Sequence, residues 1–132
     1  MAMASALRTA TRWGPPLVLM AVIFAFSAMP SDVAERGFAS VLARKMVHFA
    51  EYALLLALWW RALRSKLTPG LALGLAFALT VSYAVTDEVH QTYVDGRIGT
   101  PRDVAIDTLG AATSAALILR RRRGERSGVV SA

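Results

Sequence analysis

The sequence predicts an all-α protein, a four-helix transmembrane bundle with both termini in the cytoplasm, and three observations lead to this prediction. The chain has 132 residues, of which 55% are hydrophobic, and its mean hydropathy is +0.46. A soluble domain of this length buries too little surface to hide so much apolar area. The hydrophobic residues form four separate runs, and Lys and Arg collect in short clusters between them, as in loops that flank membrane helices.

The four predicted spans are residues 13–29, 45–60, 69–89 and 103–119. A helix needs about 20 residues to cross the hydrocarbon core, and about 17–25 is the workable range. The first two segments are short on this scale, so we expect tilt or local thinning of the bilayer around them. We expect helices because backbone amides within lipid must be satisfied inside the segment.

The first segment has two interpretations. Pro15 and Pro16 are predicted to open a membrane helix, and Pro30 to close it. However, two arginines, an apolar run and small residues near Ser27 and Ala28 are also typical of a cleaved secretory signal peptide. Cleavage would leave three spans and place the new N-terminus outside. We favour the retained helix.

Helices three and four have recognisable starts. Thr68 before Pro69 is typical of an N-cap followed by proline in the first turn. Thr100, Pro101 and Asp103 repeat this arrangement, with an acid where the helix dipole favours negative charge. The sequence therefore predicts helix starts at residues 69 and 101.

The distribution of cations predicts the orientation. The N-terminal tail, the second loop and the C-terminal tail carry ten of the 15 Lys and Arg residues: Arg8, Arg12, Arg61, Arg64, Lys66, Arg120, Arg121, Arg122, Arg123 and Arg126. The first and third loops carry five: Arg36, Arg44, Lys45, Arg97 and Arg102. By the positive-inside rule the richer side is cytoplasmic. The predicted organisation is a cytoplasmic tail at 1–12, the membrane domain at 13–119 and a basic cytoplasmic tail at 120–132, which anionic lipids attract.

Three predicted helices each carry one polar stripe at helical spacing. The stripes are Lys45, His48 and Tyr52; then Thr80, Tyr83, Asp87 and Gln91; then Asp103, Asp107, Gly110 and Ser114. Their polar ends lie at the same, extracytoplasmic face. Because ionisable groups facing lipid are costly, we expect the stripes to face the bundle interior. Gly110 and Ser114 are small enough to let a neighbouring helix approach closely.

These residues also form a recognisable series. It runs Lys45-x-x-His48-Phe49-x-x-Tyr52, then Asp87-Glu88-x-x-Gln91, then Arg97 and Asp103-Val104-x-x-Asp107-x-x-Gly110. In order and spacing it resembles the VanZ-like family of small membrane proteins, over residues 30–114. The family usually has Asn where this chain has Asp107, and a second Gly where it has Ser114. The resemblance implies a multi-pass cell-membrane protein, and the founding member is associated with low-level resistance to teicoplanin, a glycopeptide that binds cell-wall precursors.

We interpret the cluster as a ligand pocket. Lys45, Arg97 and Arg102 would hold a phosphate or carboxylate, and carboxylates would accept hydrogen bonds from hydroxyls or amines. The predicted ligand-binding residues are Lys45, His48, Tyr52, Asp87, Glu88, Gln91, Arg97, Arg102, Asp103 and Asp107. The predicted partners are membrane lipids and a lipid-linked cell-wall precursor or an envelope-active compound, but no nucleic acid. The alternative is an internal ion-pair network, with Lys45 opposite Asp87 or Asp107.

Other functions depend on the same acids. His48 with Asp87 or Glu88 would be the acid–base groups of an enzyme acting on a lipid headgroup or phosphoester, whereas a purely structural His48 would donate to Asp87, Glu88 or a backbone carbonyl. A small ion- or proton-coupled transporter is the third possibility. A divalent ion held by carboxylates near His48, Glu51 and Glu88 is a further alternative, but no metal and no cofactor are predicted. The chain has no cysteine, Glu51 points about 60° from His48 around the helix, and His90 differs in helical phase from Asp87 and Gln91.

Overall fold

The computed structural model describes residues 2–30 and 37–130, and these residues form four helices with no β-strand. The helices are α1 (Ala2–Ser27), α2 (Phe38–Leu63), α3 (Pro69–Gln91) and α4 (Pro101–Val130). The prediction of an all-α, four-helix chain is therefore confirmed. Arg36, which entered the charge count, and the chain ends at positions 1, 131 and 132 lie outside the described residues.

The predicted starts of α3 and α4 are confirmed. Thr68 occupies the N-cap of α3 without a side-chain cap bond, and its carbonyl accepts from the Ala72 N–H at 2.8 Å. At α4, the Thr100 hydroxyl accepts from the Asp103 N–H at 3.3 Å and donates to the Asp103 carboxylate at 2.8 Å. The second cap therefore uses both side chains.

The other helix ends differ from the predicted spans. α1 and α2 have 26 residues each and α4 has 30, because the helices continue through the polar flanks of the apolar segments. The prediction that Pro15 and Pro16 open the first helix was wrong, since both lie inside α1. Membrane helices tolerate such prolines when neighbouring groups satisfy the freed carbonyls. A hydropathy pattern predicts which part of a helix crosses the lipid, but it does not predict where the helix begins and ends.

Around an apolar core, the described residues combine buried acids with exposed aliphatic side chains, which is unusual for a soluble domain. Asp87 and Asp107 are among the largest side chains with less than 2% exposure, whereas Val18, Leu54, Leu71 and Leu109 are each more than half exposed. The four aliphatic residues lie on α1, α2, α3 and α4 respectively. Every helix therefore presents apolar side chains outward, which is expected where lipid is the solvent.

Small residues set how closely the helices pack. α2 packs most extensively against α4, and a Cβ added to Gly110 on α4 would lie 2.2 Å from the Phe49 carbonyl oxygen on α2. On α3 the buried residues repeat every four positions: Ala72, Ala76, Thr80 and Ala84. The expected close approach at Gly110 is confirmed, and it brings the polar stripes of α2 and α4 together.

By length and composition, two of the described helical stretches are apolar enough to cross a membrane, Ala6–Ser27 and Pro69–Gln91. α2 and α4 are long enough but fall short of that apolar content because of their charged residues.

Candidate functional site

A polar cavity of about 190 Å³ opens where α2 begins, α3 ends and α4 begins. The cavity is lined by Val41, Arg44, Lys45, His48, Glu88, Gln91, Gly96, Arg97, Ile98, Asp103, Ile106 and Asp107. We call it the polar cavity. Its walls therefore come from three helices and from the loop between α3 and α4, which are far apart in sequence.

The outer part of the cavity is built around Asp103. The Lys45 ammonium forms an ion pair with one carboxylate oxygen of Asp103, and the Thr100 hydroxyl donates to the other. Both charged side chains keep about a quarter to a third of their surface exposed, at 31% and 24%. The prediction that Lys45 pairs with Asp87 or Asp107 was wrong. The capping aspartate one turn earlier on α4 takes their place, because α2 and α4 meet with Lys45 level with the first turn of α4.

The loop between α3 and α4 folds back over the end of α3. The Glu88 carboxylate accepts from the Thr100 N–H at 2.9 Å, so it caps the chain entering α4. A Cβ at Gly99 would lie 2.1 Å from the Glu88 carbonyl oxygen, so this approach requires glycine. Gly96 has a φ of 73°, a left-handed conformation that favours glycine. The two glycines let a short loop form one wall of the cavity.

His48 and Asp107 lie deeper in the cavity. The His48 Nδ1 is 3.6 Å from an Asp107 carboxylate oxygen, an ion-pair distance for a protonated ring but longer than a direct hydrogen bond. Asp107 is 1% exposed, and neither of its oxygens has a hydrogen-bond donor among the described residues. The acid within 4 Å of His48 is therefore Asp107, and not Asp87 or Glu88 as predicted. A buried carboxylate without donors is costly, so it favours a donor from outside the chain.

Asp87 makes its hydrogen bonds through one carboxylate oxygen, and the other, Oδ1, is buried with no donor among the described residues. Its Oδ2 accepts from the Ser27 hydroxyl at 2.8 Å and from the Gln91 amide at 2.9 Å. The same amide lies 3.3 Å from the Ser27 oxygen. We call Ser27, Asp87 and Gln91 the buried cluster. It joins the end of α1 to the end of α3, and sequence reasoning missed Ser27, considering it only at a cleavage site.

Arg97 also holds the end of α1. Its guanidinium donates to the carbonyls of Phe26, at 2.8 Å, and Met29, at 3.1 Å. These bonds add a donor to the Phe26 carbonyl, which also accepts from the Met29 N–H at 3.2 Å, and supply one to the Met29 carbonyl beyond the end of α1. Burial, together with the Arg44 cation, lowers the pKa of Arg97, but a guanidinium remains protonated at any physiological pH. Because its acceptors are neutral carbonyls, Arg97 adds positive charge to the polar cavity.

The sequence matches the VanZ/LLP1 family over residues 5–122, a range that contains all the residues lining the polar cavity. The chain belongs to the VanZ/LLP1 family. No curated protein and no solved structure is detectably similar to it. Membership of VanZ/LLP1, together with the two apolar helices, makes the chain a membrane protein.

In this VanZ/LLP1 protein the predicted site residues fall into three groups. Those lining the polar cavity are Lys45, His48, Glu88, Gln91, Arg97, Asp103 and Asp107. Tyr52 and Asp87 are buried and line no part of it, with the Tyr52 ring centroid 6.4 Å from that of His48. Arg102 is exposed and also lies outside the lining. It points away because it directly precedes Asp103, and adjacent helical residues face different directions.

Two further observations concern residues outside the predicted set. Arg44 lines the polar cavity, and its position next to Lys45 in the first loop's basic cluster was the only signal for it. His90 lies on the α1 side of α3, where its ring stacks on Phe24 with centroids 4.3 Å apart. Within residues 2–30 and 37–130, no three His, Asp or Glu side chains are grouped closely enough to hold a metal ion.

Proposed function

We propose that this VanZ/LLP1 protein spans the cell membrane four times, with both termini in the cytoplasm, and binds the headgroup of a cell-envelope amphiphile in the polar cavity. The observation that carries the proposal is the carboxylate of Asp107, which accepts no hydrogen bond from the described residues, has the His48 ring 3.6 Å away and is buried at a cavity whose lining also includes Arg44, Lys45 and Arg97. Buried polar atoms without partners are rare in folded proteins. A ligand that donates to Asp107 would remove this cost.

Two features of the whole chain support four spans. All four helices expose aliphatic side chains, including α2 and α4, on which Tyr52, Asp107 and Ser114 are buried. Each helix has at least 23 residues, which corresponds to about 35 Å or more at ~1.5 Å per residue and exceeds the ~30 Å hydrocarbon core. The excess of cations at the end where α2 closes and α3 begins supports placing that end in the cytoplasm. The polar cavity then faces the extracytoplasmic side.

The charges of the polar cavity favour a headgroup with two kinds of group. Arg44, Lys45 and Arg97 supply guanidinium and ammonium donors that suit a phosphate or carboxylate. Asp107 suits an amine or hydroxyl, and it is far less exposed than Lys45. The ligand therefore carries an anionic group held near Lys45 and a donor, best an ammonium, held by Asp107. A lipid-linked cell-wall precursor with a free amine satisfies both requirements, and so would an amine-bearing envelope-active compound such as a glycopeptide.

The test measures binding of a lipid-linked, amine-bearing precursor to the purified protein in lipid nanodiscs. Lys45→Gln removes a charge-assisted interaction and is expected to weaken binding about tenfold or more. Arg102→Gln is the matched control, because Arg102 is a cation at the same end of the bundle that does not line the cavity. It is expected to change the dissociation constant less than about twofold.

The second arm tests Asp107 directly. The native protein is expected to bind the free-amine precursor at least about tenfold more tightly than the same precursor with its amine acetylated. Asp107→Asn, which introduces the residue usual in VanZ-like proteins, is expected to remove that preference. Equal affinities for both precursors in the native protein, or equal losses in Lys45→Gln and Arg102→Gln, would contradict the proposal.

A further inference from the structure

A second cavity lies at the opposite end of the bundle, where α2 closes and α3 begins. Its volume is about 440 Å³, and it is lined by Trp60, Arg64, Pro69, Ile118, Arg121, Arg122 and Glu125. We call it the basic cavity. It shares no residue with the polar cavity, so its function is independent of the one proposed above.

The lining of the basic cavity has a net positive charge. Three arginines face a single acid, Glu125. Four lining residues lie on α4: Ile118, Arg121, Arg122 and Glu125. The last three follow Ile118 by three, four and seven positions, so all four lie on one face of the helix. Arg120 and Arg123, in the same basic run, do not line the cavity. The fold therefore selects Arg121 and Arg122 from the basic run at positions 120–123 and places their charges at the cavity.

Backbone donors add to this charge. Pro69 begins α3 at the cavity wall, and the N–H groups of Gly70 and Leu71 belong to the first turn, where a helix leaves its amides without intrahelical partners. The Thr68 side chain makes no cap bond that would compete for them. The positive end of the α3 dipole therefore adds to the attraction that the three guanidinium groups exert on an anion.

The indole of Trp60 also contributes to the basic cavity. The Arg64 guanidinium carbon lies 4.6 Å from the centroid of the Trp60 ring, which holds the cation at the cavity. The Trp60 Nε1 is buried and has no acceptor among the described residues. With Ile118 and Pro69 the cavity also has apolar walls, so it suits a charged group attached to a hydrocarbon body.

We propose that the basic cavity is a binding site for the phosphate group of an anionic phospholipid. The phosphate accepts from the guanidinium groups of Arg64, Arg121 and Arg122, and the glycerol and first methylene groups lie against the apolar walls. The proposal differs from general attraction of a basic tail to an anionic surface. It assigns binding to two of the four consecutive arginines at positions 120–123, with defined stoichiometry.

The test compares two double variants of equal charge. Protein in neutral detergent is mixed with equal amounts of phosphatidylglycerol and phosphatidylcholine, and native mass spectrometry measures the bound lipid. The native chain is expected to retain one phosphatidylglycerol in preference to phosphatidylcholine. Arg121→Gln with Arg122→Gln is expected to weaken phosphatidylglycerol binding about tenfold. Arg120→Gln with Arg123→Gln is expected to change it less than about twofold.

Two results would overturn the proposal: equal retention of the two lipids by the native chain, or equal losses in the two double variants. A separate arm titrates inorganic phosphate against the bound lipid. Displacement at millimolar phosphate assigns recognition to the phosphate group alone, and no displacement assigns it to the whole phospholipid headgroup. Because neither arm involves the polar cavity, failure here leaves the headgroup proposal at the other end intact, and the reverse also holds.

Discussion

Asp87 and Asp107 are both buried, but they have different surroundings. Asp87 accepts two hydrogen bonds on one oxygen, from Ser27 and Gln91, so the chain itself compensates part of its desolvation. Asp107 has no donor among the described residues and lies beside His48 at the polar cavity. The first aspartate is therefore suited to fixing helix positions, and the second to meeting a ligand.

The Ser27 hydroxyl gives a prediction at the residue scale. Ser27→Ala removes a buried donor to Asp87 and leaves the Gln91 amide as the remaining donor to that oxygen. We expect the free energy of unfolding to fall by about 1–3 kcal/mol, since a buried carboxylate loses a partner. Thermal unfolding in detergent, followed by circular dichroism, measures the change.

The control for Ser27→Ala is Ser82→Ala, an exposed serine on α3. This variant should alter stability by less than about 0.5 kcal/mol. If the two variants unfold at the same temperature, the buried cluster does not hold α1 to α3, and Tyr83, whose hydroxyl donates to the Met20 carbonyl at 2.6 Å, would be the main polar tie.

At the scale of secondary structure, the packing of α2 against α4 determines which side chains meet in the polar cavity. Gly110 allows the two backbones to meet at the Phe49 carbonyl, and Lys45 and His48 precede Phe49 on the same helix. Asp103 and Asp107 precede Gly110 by seven and three positions, so they share its face of α4. Close approach at one glycine therefore places the Lys45–Asp103 ion pair and brings His48 beside Asp107.

Gly110→Ala is expected to destabilise the protein by about 2 kcal/mol or more, because the added methyl group meets backbone that cannot rotate away. It should also weaken ligand binding in the polar cavity by separating α2 from α4. Gly74→Ala on α3 is the matched control. Nothing lies within 4 Å of its added Cβ, so stability should stay within about 1 kcal/mol or rise.

Unfolding in a graded series of denaturing detergent distinguishes these variants. Equal stability of Gly110→Ala and the native chain would mean that α2 and α4 are not tightly paired. A loss of stability in Gly74→Ala as large as that in Gly110→Ala would mean that the loss in Gly110→Ala does not come from its close contact with Phe49.

The whole molecule combines a buried apolar core and buried polar side chains with an exterior on which many aliphatic side chains are exposed. Seven polar or charged residues are buried among the described positions: Ser27, Thr80, Asp87, Glu88, Gln91, Asp107 and Ser114. Five of them, Ser27, Asp87, Glu88, Gln91 and Asp107, lie toward the end of the bundle that contains the polar cavity. Such groups find partners inside the bundle because lipid offers none. This distribution supports the four-span arrangement and gives it a test.

The chain has no cysteine, so single cysteines report topology without interference. Tyr93 is 83% exposed in the loop after α3, and Tyr93→Cys is expected to react with a membrane-impermeant maleimide added to intact cells. Met3→Cys, 80% exposed near the N-terminus, and Lys66→Cys, in the loop after α2, should react only after the membrane is opened.

Each alternative arrangement gives a different labelling pattern. Reaction of Met3→Cys and Lys66→Cys in intact cells would reverse the proposed orientation. Loss of the cysteine at position 3 from the mature protein would show that the first segment is cleaved as a signal peptide. Cleavage after Ser27 would also remove Ser27 itself, which donates to Asp87 in the folded chain.

Much of the architecture could be predicted from local sequence. Proline after a capping threonine marked the starts of α3 and α4, because that chemistry acts within one turn. The spacing of Asp87 and Gln91, and of Asp103 and Asp107, placed each pair on one helix face, because periodicity is a property of the helix itself. Residue types and their order also identified the VanZ family. These features depend on neighbours in the chain and need no knowledge of the fold.

The partners of the charged groups were decided only by tertiary structure. Periodicity states which side of a helix a residue occupies, but not how far that helix slides or rotates against the next. The close approach at Gly110 sets this offset, so Lys45 meets Asp103 and His48 meets Asp107. The docking of α1 brings Ser27 to Asp87 across 60 positions of sequence. Contacts between distant segments arise from the packing of whole helices, and a local sequence pattern does not determine how two helices pack.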